Sequence, residues 1–174
     1  MRKWLPLILI TLLAGLLRFW NLGSMPPSAN WDEISHGYNA YSLLQTGQDE
    51  WGKSFPLIFR AFGDYKLPLY IYLTIIPVFL FGLNVFAVRF VSALAGTLAI
   101  PGIYFLYTTL FPHQTITVRD RKINFGLIAA FVLAVLPWHF FLSRPALEAN
   151  LALTLIIYGA YFLLKSRYLP ASIL

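Results

Sequence analysis

Two carboxylates stand side by side at Asp32-Glu33, in a chain of 174 residues that holds only seven acids. A carboxylate at a loop edge can act as a general base or a metal ligand. His36 follows Asp32 by four residues, so on a helix the two share a face and can flank one proton or one divalent ion. Glu33 points elsewhere, because neighbours one residue apart diverge on a helix. The plain alternative is a pair of solvated acids in a helix's first turn, where the macrodipole favours them.

Further along, Asp64-Tyr65-Lys66 precedes Pro68. Lys66 can serve as a point charge for a phosphate, or simply snorkel at an interface. Asp64 joins His36 as a candidate metal ligand. Glu148 is the remaining acid of interest. It either pairs with Arg144, four residues earlier, or partners Asp32 across the mouth of a helix bundle. No Walker loop, dinucleotide fingerprint, His-Glu-x-x-His or Gly-x-Ser-x-Gly elbow occurs.

The elements that must position these residues are apolar. The chain is 59% hydrophobic and 11% charged, with a mean hydropathy of +0.68. Soluble domains carry about 25% charged residues, so lipid is expected to supply much of the solvent. There is no cysteine, which removes disulfides and thiolate chemistry. The net charge of +6 is scattered through short links rather than gathered on a face, so nucleic-acid binding is not expected.

These patterns predict an all-α integral membrane protein with about four spans, near 4–20, 85–111, 123–138 and 149–164. A long loop over about 21–84 carries interfacial helices. In it, Ser28 or Asn30 caps a helix that ends at Thr46-Gly47. Ile34, Tyr38, Tyr41 and Leu43 or Leu44 form its apolar face, opposite Ser35, Asn39 and Ser42. Trp31, Tyr38, Tyr41, Trp51, Tyr65, Tyr70 and Tyr72 read as an aromatic belt.

Leu67–Phe81 decides the topology. If it is interfacial or re-entrant rather than spanning, then Arg2, Lys3, Arg119, Arg121, Lys122, Lys165 and Arg167 all fall on one side, the cytoplasm. Asp32, Glu33, Asp64 and Glu148 then share the other, extracytoplasmic side. Lys53, Arg60, Lys66 and Arg144 join them against the positive-inside rule, which points to use on an anionic headgroup. The expected location is the plasma membrane, multi-pass, with a cytoplasmic N-terminus.

The ordered set Leu17-Arg18-Phe19, Pro26-Pro27, Asp32-Glu33, Gly63-Asp64-Tyr65-Lys66-Leu67-Pro68, Phe81-Gly82-Leu83-Asn84, Val88-Arg89-Phe90 and Ser143-Arg144 with Glu148 resembles a known family. It is similar to the N-terminal part of the polytopic C-type glycosyltransferases, in the branch of protein O-mannosyltransferases and aminoarabinose transferases. The resemblance implies an inverting enzyme that moves a hexose or pentose from a polyprenyl-phosphate donor. The acceptor would be a protein, lipid or glycan. It implies Asp32, Glu33 and Glu148 as catalytic residues and Lys66, with Arg60 or Arg89, at the donor phosphate. Family members have many more spans, so the chain is expected to be a truncated part of such an enzyme. A fragment of a transporter, or a non-catalytic membrane subunit, is the alternative.

Overall fold

Proline, glycine and asparagine cut the apolar sequence into short rods. The computed structural model describes residues 4–118 and 121–165. In chain order these residues form α1 (Leu5–Phe19), α2 (Trp31–Thr46), β1 (Phe59–Ala61), β2 (Asp64–Lys66), α3 (Pro68–Phe81) and α4 (Val85–Leu110). There follow β3 (Thr115–Val118), β4 (Arg121–Asn124), α5 (Phe125–Val135), α6 (Pro137–Leu142) and α7 (Glu148–Lys165). The molecule is mostly helical, as expected. Two small antiparallel hairpins are added.

Local chemistry sets the helix ends. Pro68 and Pro137 sit in first turns, where a missing N–H costs nothing. Asn84 caps α4 by accepting from the Ala87 amide, and Asn124 does the same for α5 from Gly126. Leu136 is extended because it precedes Pro137. The stretch expected as one span near 123–138 is therefore a strand end, a helix and a second short helix. The helix expected as the fourth span begins one residue early, at Glu148.

By length and composition, α4 and α7 can each cross a membrane. At 1.5 Å per residue, α4 is about 39 Å long and α7 about 27 Å. The apolar helices α1, α3 and α5 are shorter. Of the basic residues used for sidedness, Arg2, Lys3, Arg119 and Arg167 lie outside the described residues.

The axis of the fold is α4, which packs against α1, α2, α3, α5 and α7. Six of its buried residues are small: Ala87, Ala93, Ala95, Gly96, Ala99 and Gly102. Small residues let helix backbones approach. A Cβ on Gly96 would fall 2.4 Å from Ser143 Cβ, so Gly96 admits the turn after α6. Along α7, Asn150, Thr154 and Tyr158 recur every four residues. They donate to the carbonyls of Ser92 (2.7 Å), Ala95 (3.0 Å) and Leu98 (3.0 Å) on α4. This polar seam ties two helices whose outer faces are apolar.

The second helix has two distinct faces. It ends as predicted at Gly47, which takes the left-handed conformation. Its two faces divide along the expected residues. Ser35 and Asn39 are buried, while Ile34, Tyr38 and Tyr41 are exposed. Asn39 is held inside by its bonds to Ser35 and to Glu50 of the following turn. Periodicity finds the two faces of a helix but not which one meets protein.

Candidate functional site

The site is built on the first two turns of α2. Asn30 and Glu33 form a reciprocal capping box: Glu33 N donates to Asn30 Oδ1 (2.8 Å) and Asn30 N to Glu33 Oε2 (3.0 Å). The box fixes where the helix starts and so where Asp32, Glu33 and His36 point.

Glu33 is 2% exposed and points inward. Arg89 of α4 grips it with two bonds, Nε to Oε1 (2.7 Å) and Nη2 to Oε2 (3.0 Å). The amide of Ala146 also donates to Oε1, at 2.9 Å. With Asn30, four donors fill the carboxylate's capacity. Burial pushes the Glu33 carboxyl up, but the Arg89 bonds and the two amides more than offset it and hold it below the usual range. The remaining three Arg89 N–H groups go to the carbonyls of Leu22 (3.1 Å), Pro26 (2.8 Å) and Ser28 (2.9 Å).

All five guanidinium donors are therefore taken, and Arg89 is fully buried. It has no N–H left for a donor phosphate, which corrects that expectation. Glu33, equally consumed, is a positioning residue in this geometry. It joins α2, α4, the 22–28 loop and the turn before α7 at one point.

Asp32 lies one residue away and faces the other environment. Its side chain is 40% exposed, and Oδ1 is 2.8 Å from Lys66 Nζ. Lys66 also reaches Asp64 Oδ2 at 3.4 Å. Hydrogen bonding to Asp32, ahead of partial burial acting the other way, raises the Lys66 ammonium above its usual value. The Tyr65 amide first, and Lys66 second, lower the Asp64 carboxyl.

A hairpin delivers Lys66. Strands β1 and β2 pair Phe59 with Lys66, Arg60 with Tyr65 and Ala61 with Asp64. Phe62 and Gly63 both take positive φ, as a two-residue type I′ turn requires. Phe62 sits in that unfavourable region while its ring lies 6.4 Å from Trp31 at the start of α2. Side chains alternate across the hairpin, so Lys66 and Arg60 point to opposite faces. Lys66 faces α2; Arg60 stacks on Trp51, 4.7 Å from its ring centre. The expectation that both hold one phosphate is corrected by this register.

One turn below Asp32, His36 Nε2 lies 3.1 Å from Glu148 Oε1. The His36 ring packs on Tyr70 at 4.9 Å, and its Nδ1 is buried without a partner. Glu148 thus meets neither Arg144 nor Asp32. Arg144 instead donates to carbonyls of Leu17, Arg18, Trp20, Asn21 and Met25, clamping the end of α1. His36 and Asp64 belong to separate pairs and do not form one ligand set. Among the described residues no three His, Asp or Glu side chains gather to hold a metal.

No protein family, characterised protein or solved structure matches this chain.

The site's content is therefore its own geometry. One helix face carries an open acid–lysine–acid group above a half-covered histidine–glutamate pair. Sequence reasoning singled out Asp32, Asp64, Lys66, His36 and Glu148 but not their pairing. It missed the Arg144 clamp, for which nothing local gives a signal. It also missed the Trp51–Arg60 stack, which no local pattern announces.

Proposed function

We propose that this chain is part of a multi-pass membrane glycosyltransferase. It moves a sugar from a polyprenyl-phosphate donor to an extracytoplasmic hydroxyl with inversion. Asp32 is the general base and Lys66 the charge that meets the donor phosphate. The observation that carries the reading is the open Asp32–Lys66 pair, set beside a sealed Glu33–Arg89 pair that fixes its position.

The step follows from the roles. The acceptor oxygen attacks the anomeric carbon, its proton passes to the Asp32 carboxylate, and the bond from that carbon to the phosphate oxygen breaks. Polyprenyl phosphate leaves with its charge beside Lys66. A donor phosphate competes with Asp32 and Asp64 for the same ammonium. Donor binding then draws Lys66 from Asp32 and frees the base for the acceptor. Glu148 keeps a second, partly exposed carboxylate one turn below, within reach of sugar hydroxyls.

The membrane reading is supported by an inverted surface. Arg18, Arg89, His36, Asn39, Ser92, His139 and Asn150 are buried, whereas Leu9, Leu12, Leu16, Ile156 and Phe162 are exposed. Lipid is the solvent in which that arrangement is stable. In this reading α1, α4, α5 together with α6, and α7 span, with Trp4 and Trp20 marking the interfaces of the short α1. The α2–α3 region lies on the extracytoplasmic surface of the plasma membrane, where a donor held in the bilayer reaches Lys66.

Transfer from a labelled polyprenyl-phosphate sugar tests the proposal in the native membrane. Asp32→Asn is expected to abolish it while the protein still inserts; near-normal transfer would overturn the assignment. A cysteine replacing Ser42 is expected to react with an impermeant reagent from outside, and one replacing Thr117 only from inside. The reverse would overturn the orientation.

A further inference from the structure

The hairpin's other face holds a second, separate cleft. It has a volume of about 380 Å³ and is lined by Asp49, Trp51, Lys53, Ile58, Arg60 and Tyr65. That size lies within the range of about 300–1,000 Å³ typical of small-molecule sites. None of its groups takes part in the chemistry assigned to Asp32.

Two walls of the cleft hold each other. The indole N–H of Trp51 donates to the Arg60 carbonyl at 3.0 Å, and the Arg60 guanidinium in turn covers the indole at 4.7 Å. Each residue thus fixes the other. Asp49, 5% exposed, accepts from the Trp51 and Lys53 amides on Oδ1, so the one acid of the cleft is turned to its own backbone. Glu50 is tied back to Asn39. Among the described residues neither Lys53 nor Arg60 has a carboxylate within ion-pair reach. A stacked guanidinium keeps its N–H edge free for bidentate contact with an oxyanion.

We infer that this cleft binds a phosphoryl group carried on a sugar or on a lipid head, held by Arg60 and Lys53 with the attached ring or chain against Trp51, Ile58 and Tyr65. Two cations on one group favour an oxyanion of more than one charge. The aromatic and aliphatic walls favour a group with an apolar face beside it. The register sets this ligand on the side of the hairpin away from Lys66. It is therefore a different molecule from the one that Lys66 meets, and the inference does not depend on the glycosyltransferase reading.

The test is a binding measurement on the full chain in phosphatidylcholine nanodiscs, read by tryptophan fluorescence with Trp51→Phe as the reference. One arm titrates a soluble hexose 1-phosphate; the other compares nanodiscs doped with phosphatidylglycerol. A saturable Trp51 change is expected in at least one arm. A response in the first arm alone assigns a free phosphorylated sugar, and in the second alone a lipid head. Arg60→Gln and Lys53→Gln are each expected to weaken binding about tenfold, the size of one charge-assisted hydrogen bond. Arg60→Lys should fall between, and Lys66→Gln should leave the Trp51 response unchanged. Lys53 lies on an exposed turn, so its variant decides the matter if Arg60→Gln disturbs the hairpin. Absence of a saturable response in both arms overturns the inference. So does an equal response to unphosphorylated hexose, or a loss caused by Lys66→Gln but by neither cleft variant.

Discussion

Glu33 and Asp32 are chain neighbours with the same functional group, and they occupy opposite worlds. Glu33 is sealed against Arg89 with every acceptor position filled. Asp32 stands at the rim with one partner, a lysine that a second acid also holds. About 100° of helix rotation separates them. The difference teaches that a paired-acid motif can divide its labour: one carboxylate builds the platform and the other stays available. The same split recurs among the cations: Arg89 is saturated, while among the described residues Arg60 and Lys53 have no carboxylate partner.

The largest loss is expected at the sealed side. Glu33→Ala leaves a buried guanidinium unpaired and should cost about 3–5 kcal/mol, read as lost resistance to denaturation in detergent. A loss below the level expected of a surface pair would deny Glu33 its structural role. At the open side, Asp32→Asn should leave that stability within about 1 kcal/mol of the parent. Transfer should nonetheless fall by about 10²–10⁴.

Gly37→Ala probes the packing beside Glu33. Its Cβ would lie 2.6 Å from Val88 Cγ2, and overpacking of this kind costs about 1–3 kcal/mol. Acid gives a finer contrast. The Glu33 carboxyl sits below its unfolded value, so its contribution is present above about pH 4.3 and fades as pH drops through the lower folded value. A pH series of denaturation midpoints should show this loss in the parent and not in Glu33→Gln. Smallest of all, a double-mutant cycle between Asp32 and Lys66 should give a coupling under about 1 kcal/mol; a much larger coupling would make the rim a structural bridge too.

Much of the fold was legible locally. The start and stop of α2 follow from Asn30, Glu33 and Gly47, and the break between α3 and α4 from Gly82 and Asn84. The β1–β2 hairpin was not legible, because Phe62-Gly63 lacks the usual Asn-Gly signal and the strands are only three residues long. Which face of α2 meets the rest of the protein was not legible, because its polar residues Ser35 and Asn39 find partners inside while Ile34, Tyr38 and Tyr41 face out. The candidate acids were visible as types. Their pairing was not, since His36 and Glu148 lie 112 residues apart and Glu33 and Arg89 lie 56 apart.

An apolar, mostly helical chain, most of its helix ends though not the α5–α6 break, and the scarcity of its acids follow from the sequence, since these depend on composition, period and capping chemistry. The tertiary structure alone decided which carboxylate is spent and which is free. That choice depends on whether Arg89 or Lys66 arrives from a distant element, and on how much water each pair keeps.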